Sequence, residues 1–291
     1  YKDGSRFIHD FNYGNNGTVT TDGGNTFVGI NAGNFMMGST ATSASQASYN
    51  TGIGYQSLYL NTTGYYNTAN GYQSLRANTT GYVNTANGAY SLYLNTTGYY
   101  NTANGYQSLR ANTTGYRNTA NGALSLYSNT TGYQNTANGY QSLYSNTTGN
   151  YNTANGSYSL YSNTTGNNNT ALGYNSGRYI ADGTTGRSTG NNGLYLGYNS
   201  KASANGTDNE IVIGYNAIGK GSNTVTIGNS SITDNYFKGK VHADQYKLSD
   251  LNTAPSSSTD TGVKGEIRVT ADAIYICIDK DTWVKTDLKA F

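Results

Sequence analysis

The sequence predicts an all-β chain: a parallel β-solenoid, or β-roll, of 17-residue coils, followed by a small β-meander. Three observations predict it. First, the phrase NTANGYQSL at residues 67–75 returns at 101–109 and 135–143, with near-copies beginning halfway at Asn84, Asn118 and Asn152. Second, glycine keeps two phases in steps of 17: Gly71, Gly88, Gly105, Gly122, Gly139 and Gly156 in one, and Gly64, Gly81, Gly98, Gly115, Gly132, Gly149 and Gly166 in the other. Third, the chain is too lean for a thick core. Hydrophobic residues make up 35% of its 291 positions, but 30 of them are Tyr. Without the tyrosines about a quarter is apolar, well below an ordinary globular chain. Charge at 11% and aromatics at 13% also exclude the usual disordered composition. Order must come from repetition or from other chains.

Residues 1–24 read as an N-terminal connecting segment. It opens on Tyr1 rather than Met, which reads as processing or trimming. The roll is expected over 25–232, with regular coils over about 50–177 and NTFVGINAG (25–33) as the opening coil. Each coil should hold two short strands, near NTANG and SLY. The turn at NTTG should have its Gly supplying a positive φ. A helix is excluded because Gly and Asn recur in every coil without a 3.6-residue apolar stripe, and collagen because Gly is not every third residue.

Stacked coils place equivalent residues in columns about 4.8 Å apart. Leu58, Leu75, Leu92, Leu109, Leu126, Leu143 and Leu160 are the expected inward column, with Thr68, Thr85 and Thr102 sharing the interior. Asn70, Asn87, Asn104, Asn121, Asn138 and Asn155 are the expected amide ladder. One further pattern has a period of 34. Tyr72, Tyr106 and Tyr140 alternate with Ala89, Ala123 and Ser157, while Gln73, Gln107 and Gln141 alternate with Tyr90, Leu124 and Tyr158. Large over small is expected to let each ring lie over its neighbour's small residue.

The closing coils are richer in apolar residues: NTALGYNSG, GLYLGYNS, EIVIGYNAIG and NTVTIGNSSI. This suits solenoid ends, which lack a neighbouring repeat. Residues 233–262 read as neck and linker and contain the only Pro, Pro255. Residues 263–291 alternate Ile267 and Val269, then Ile274, Ile276 and Ile278, then Trp283, which predicts a β-meander knob. So small a sheet calls for oligomerisation.

NTALG, NTVTIGNSSI, EIVIGYNAIG and NTFVG resemble the N-S-V-A-I-G coil motif of trimeric autotransporter adhesin heads. The whole layout, from RFIHDFN to the terminal GEIRVTADAIYICIDKDTWVKTDL, is similar to collar- or tail-fibre-like proteins of phages that infect Bacteroidetes-type hosts. The resemblance covers nearly the whole chain, and departs from the motif where Asn replaces Ile through the middle coils. It implies a left-handed roll, a homotrimer, a virion or extracellular cell-surface location, and partner fibre or virion proteins at the N-terminal end.

Chemistry is scarce in the repeat body. No Asp or Glu lies between Asp22 and Asp182, and no His between His9 and His242. Paired carboxylates and metal clusters therefore cannot be built within it, and neither a catalytic residue nor a cofactor is expected. His242 on a three-fold axis is the one metal candidate. Cys277, between Ile276 and Ile278, reads as a buried thiol, and Asp272, Asp279, Asp281 and Asp287 as a solvated face. The net charge of +2 supplies no field for nucleic acid, and no apolar run is long enough to span a bilayer. The NTT triplets match glycosylation acceptors but are explained better as turns. The candidate ligand contacts are the column Tyr65, Tyr82, Tyr99, Tyr116 and Tyr133, together with Trp283. A second column is Tyr59, Tyr93, Tyr127, Tyr144 and Tyr161, near Arg76 and Arg110. The expected function is a structural and adhesive fibre protein, a trimeric spacer binding a host cell-surface glycan or protein. The alternatives are a bacterial adhesin or self-associating filament subunit, and a polysaccharide depolymerase with an intersubunit site.

Overall fold

A computed structural model describes residues 8–233, 235, 236, 238, 254–262 and 264–288. The contacts divide the chain into two units, Tyr1–Thr233 and Asp234–Phe291. The first is a β-solenoid with a thirteen-stranded sheet in chain order. Strand β1 (Ile8–Phe11) lies antiparallel to β2 (Asn25–Val28) and covers the edge that the first coil would otherwise expose. Then β3 (Thr51–Ile53), β4 (Thr68–Asn70), β5 (Thr85–Asn87), β6 (Thr102–Asn104), β7 (Thr119–Asn121), β8 (Thr136–Asn138), β9 (Thr153–Asn155) and β10 (Thr170–Leu172) add in parallel. They are followed by β11 (Leu194–Leu196), β12 (Glu210–Ile213) and β13 (Thr224–Ile227). Registers such as Thr68↔Thr85 advance 17 residues per coil.

The alternation of a strand decides what the narrow interior holds. Ala69, Ala86, Ala103, Ala120, Ala137 and Ala154 point in and are fully buried, as is the Leu column from Leu58 to Leu160. Thr68 and Asn70 flank Ala69 and therefore face outward. This corrects the expectation that the threonines share the interior. It also moves the predicted Asn70–Asn155 ladder to the outer face of the sheet. The buried asparagine of each NTANG is the first, two positions before the Ala and on its side.

Each coil has one strand rather than two. Across YQSL the backbone alternates into the left-handed region, with φ of 54° at Gln73 and 48° at Leu75. The segment still pairs between coils: Gln73 N–H donates to Tyr55 O at 2.8 Å, and Leu75 N–H to Ser91 O at 3.0 Å. The two glycine phases also have different causes. Gly88, directly after β5, adopts φ 128°, and a Cβ there would lie 2.6 Å from Gly105 O in the next coil. Gly81 has no positive φ. A Cβ there would meet Asn78 Oδ1 at 2.3 Å and Gly98 O at 2.4 Å, so this glycine answers to close approach and not to the expected turn conformation.

The second unit holds an antiparallel meander, β14 (Ile267–Val269), β15 (Ala273–Asp279) and β16 (Thr282–Asp287). Its buried face is Ala273, Cys277 and Trp283. The cross-strand row Ile267, Ile276 and Val284 points the other way and is exposed by 58%, 39% and 44%.

Candidate binding surface

Two buried amide ladders hold the repeat body together. In the first, Asn101 Nδ2 donates to Asn84 Oδ1 at 3.1 Å and to Gly115 O at 2.9 Å, while Asn101 N–H donates to Asn84 Oδ1 at 3.0 Å. The same bonding recurs along Asn50, Asn67, Asn84, Asn135, Asn152 and Asn169. In the second, the Asn of each NTT bonds its counterpart, as Asn112 Nδ2 does to Asn95 Oδ1 at 2.7 Å. These asparagines are fully buried, so the glycosylation triplets present no accessible acceptor. The predicted ladder also exists on the outer face, where Asn87, Asn104, Asn121 and Asn138 are linked by bonds of 2.8–2.9 Å.

The first buried ladder ends in a charged plug, while the second ends at Asn163, whose Oδ1 has no hydrogen-bond partner among the described residues. Register carries Asn169 to Gly193 and then Glu210, and Ala171 to Tyr195. Glu210 is fully buried. It accepts from Tyr195 OH at 3.3 Å, Thr207 Oγ1 at 2.9 Å and the Gly221 N–H at 3.0 Å. Arg187, also fully buried, donates from Nη2 to Asn169 Oδ1 at 3.1 Å and lies over the Tyr195 ring at 5.1 Å. Burial pushes the Tyr195 phenol up to about 12; Arg187 opposes the shift and Glu210 adds to it. This cluster was missed in the sequence. Its signal was the break in the 17-residue step between Gly173 and Gly197, with a lone Glu opening EIVI.

Outside, tyrosines form ladders. The rings of Tyr65, Tyr82, Tyr99, Tyr116 and Tyr133 stack at 4.8–5.0 Å and within 7° of parallel, each half-buried. Burial and the neighbouring phenols Tyr65 and Tyr99 hold Tyr82 above the ordinary phenol pKa. Identical rings are therefore compatible with coil spacing, held near parallel with little freedom to tilt. What alternation does is turn rings edge-to-face: Tyr72 meets Tyr90 at 5.2 Å and 71°, and Tyr140 meets Tyr158 at 5.4 Å and 88°. Arg76 and Arg110 fall in one column with Tyr59, Tyr93 and Tyr127. Arg76 lies 5.5 Å over Tyr59 and 5.8 Å over Tyr93, and Arg110 lies 5.4 Å over Tyr93 and 5.7 Å over Tyr127. These guanidinium groups are interleaved with rings and form no open basic patch.

In the terminal unit Trp283 is only 6% exposed, donates from Nε1 to Asp260 O at 2.9 Å and is covered by Arg268 at 4.4 Å. It is a packing residue that lines a hollow with Pro255 and Lys285 and offers little surface for the ligand contact expected of it. Cys277 is a buried free thiol. Asp272, Asp279 and Asp287 are exposed, and no group of three or more His, Cys, Asp or Glu able to hold a metal is found among the described residues. His242 lies outside the described residues. No helix among them is long and apolar enough to cross a membrane. Comparison with protein-family models, curated proteins and solved structures found no match.

Proposed function

We propose that the chain is a structural and adhesive fibre protein: a rigid homotrimeric spacer that carries a surface-binding function, of the kind found in phage tail or collar fibres. The observation that carries this reading is the outward face of the solenoid sheet. One uncharged row runs along it from Val28 and Ile53 through Asn70–Asn155 to Leu172, Leu196, Ile213 and Ile227. Ile53, Leu172 and Ile227 are exposed by 42%, 55% and 54%. A continuous uncharged face with apolar ends suits burial against further copies of itself. The outward row Ile267, Ile276 and Val284 gives the terminal unit the same need. The resemblance to trimeric adhesin heads points to three copies and a left-handed winding. Sedimentation equilibrium tests this. The expected species has three times the 31.0 kDa chain mass; a folded chain that stays monomeric at micromolar concentration would refute it.

A further inference from the structure

The 34-residue period leaves its mark on the surface. Tyr72, Tyr106, Tyr140 and Tyr174 recur every second coil and are exposed by 45%, 51%, 43% and 42%. Between them in the same column stand Ala89, Ala123 and Ser157; beyond them Tyr55 stacks on Tyr72 and Tyr198 on Tyr174, each at 5.3 Å, so the two-coil spacing holds from Tyr72 to Tyr174 and the outer faces of those two rings are covered. The exposed rings therefore repeat at two strand spacings, about 10 Å. That is close to the length of one disaccharide in an extended β-1,4-linked glycan. Each ring is followed by an amide: Gln73, Gln107, Gln141 or Asn175. Gln107 and Gln141 make no side-chain hydrogen bond among the described residues.

We propose that Tyr72, Tyr106, Tyr140 and Tyr174, with the amide beside each, form a binding track for an extended, uncharged β-1,4-linked polysaccharide lying along the solenoid axis. The apolar C–H face of alternate sugar rings stacks on the phenol faces, and the amides and phenol hydroxyls meet the equatorial hydroxyls. The small residues leave room for the intervening sugar. Tyr90 and Tyr158 wall the track from the adjacent column. Tyr90 holds Tyr72 and Tyr106 edge-to-face at 5.2 and 6.4 Å, and Tyr158 holds Tyr140 and Tyr174 at 5.4 and 5.7 Å. Rings fixed in advance lose little freedom on binding. The occupant is uncharged because no carboxylate side chain lies between Asp22 and Asp182, Arg76 and Arg110 are interleaved with the rings of another column, and Arg178 is held over Tyr158, Tyr161 and Tyr179 and donates to Asn175 Oδ1 at 2.9 Å. The inference rests on the fibre reading, for which it names the class of receptor. Its failure would leave the oligomer mass untouched.

The test is calorimetric titration of the full chain with β-1,4-linked glucose and N-acetylglucosamine oligomers of increasing length, with dextran and mannan as controls. Affinity for at least one β-1,4 series should rise with each added disaccharide. It should level off once the oligomer spans the four rings, about 30 Å from first to last or about seven sugars. Tyr106→Ala should weaken binding at least tenfold with the circular dichroism spectrum unchanged, while Thr97→Ala, at an exposed position outside the tyrosine columns, should leave it intact. If Tyr106→Ala fails to fold, Gln107→Ala serves instead and should weaken binding several-fold. Absence of binding to both series by the folded chain would overturn the proposal. So would length-independent affinity, equal affinity for dextran, or self-association through these tyrosines in place of sugar binding.

Discussion

At the scale of the residue, the solenoid accepts left-handed backbone at positions that are not glycine. Leu58 through Leu160 all have φ near 50°, a conformation that costs roughly 1–2 kcal/mol per residue. The Leu side chains recover this by full burial, as their N–H groups do by pairing with the next coil. The column Tyr66, Val83, Tyr100, Arg117, Gln134 and Tyr151 is also left-handed but only partly buried or exposed, and at the C-terminal end the chain itself places Asn168, Asn192, Asn209 and Asn223 there. Val83, β-branched at φ 53°, carries the largest mismatch. Val83→Asn is expected to stabilise by about 1 kcal/mol, read as a higher urea midpoint. Tyr195 sets a pH limit. Its folded-state pKa of about 12 lies above the ordinary 10.0. The neutral phenol therefore contributes stability in full below pH 10, which is lost as pH rises from 10 through 12. Tyr195→Phe should flatten that part of the alkaline unfolding profile. An unchanged profile would mean the phenol does not titrate with the fold.

At the scale of the element, one coil is a three-residue strand, a Gly corner and two buried amides, satisfied by their neighbours except at Asn163, where the second ladder ends with an Oδ1 unpaired among the described residues. Asn101→Asp would remove the donor to Asn84 Oδ1 and Gly115 O and face acceptors with a buried charge, at a cost of about 3–5 kcal/mol. Gly88→Ala would drive a Cβ into the backbone of the next coil at a positive φ. Thermal melts should show both variants well below a surface control such as Thr97→Ala, since Thr97 is exposed. The coil length, both glycine phases and the Leu column were legible in the sequence because period and apolarity mark them directly. Which asparagine is buried was not. Asn67, Asn70 and Asn78 recur with equal regularity, and only the strand phase around Ala69 separates inside from outside. The second strand at SLY was misread because alternating φ signs leave no trace in residue type beyond glycine. The tyrosine columns could be read from the sequence, but not whether their rings stack or turn edge-to-face. Trp283 reads as a candidate ligand contact in the sequence because composition does not reveal that Arg268 covers it.

At the scale of the whole molecule, the repeat is a ruler. From β2 to β13 each added coil lengthens the stack by one strand spacing. Neighbouring coils supply both the hydrogen bonds and the packing. Stability should then depend on local stacking and on the ends, where β1 covers one edge and the Arg187–Tyr195–Glu210 plug closes the Asn50–Asn169 ladder. The central claim is that stacked coils form a rigid spacer assembled from three chains. Small-angle scattering from the native chain, and from a variant carrying a second copy of residues 101–134, tests it most directly. A rod with the cross-section of three solenoids should lengthen by about 10 Å for the two added coils, with its cross-section unchanged. A single-chain cross-section, or a length that does not grow, would contradict it.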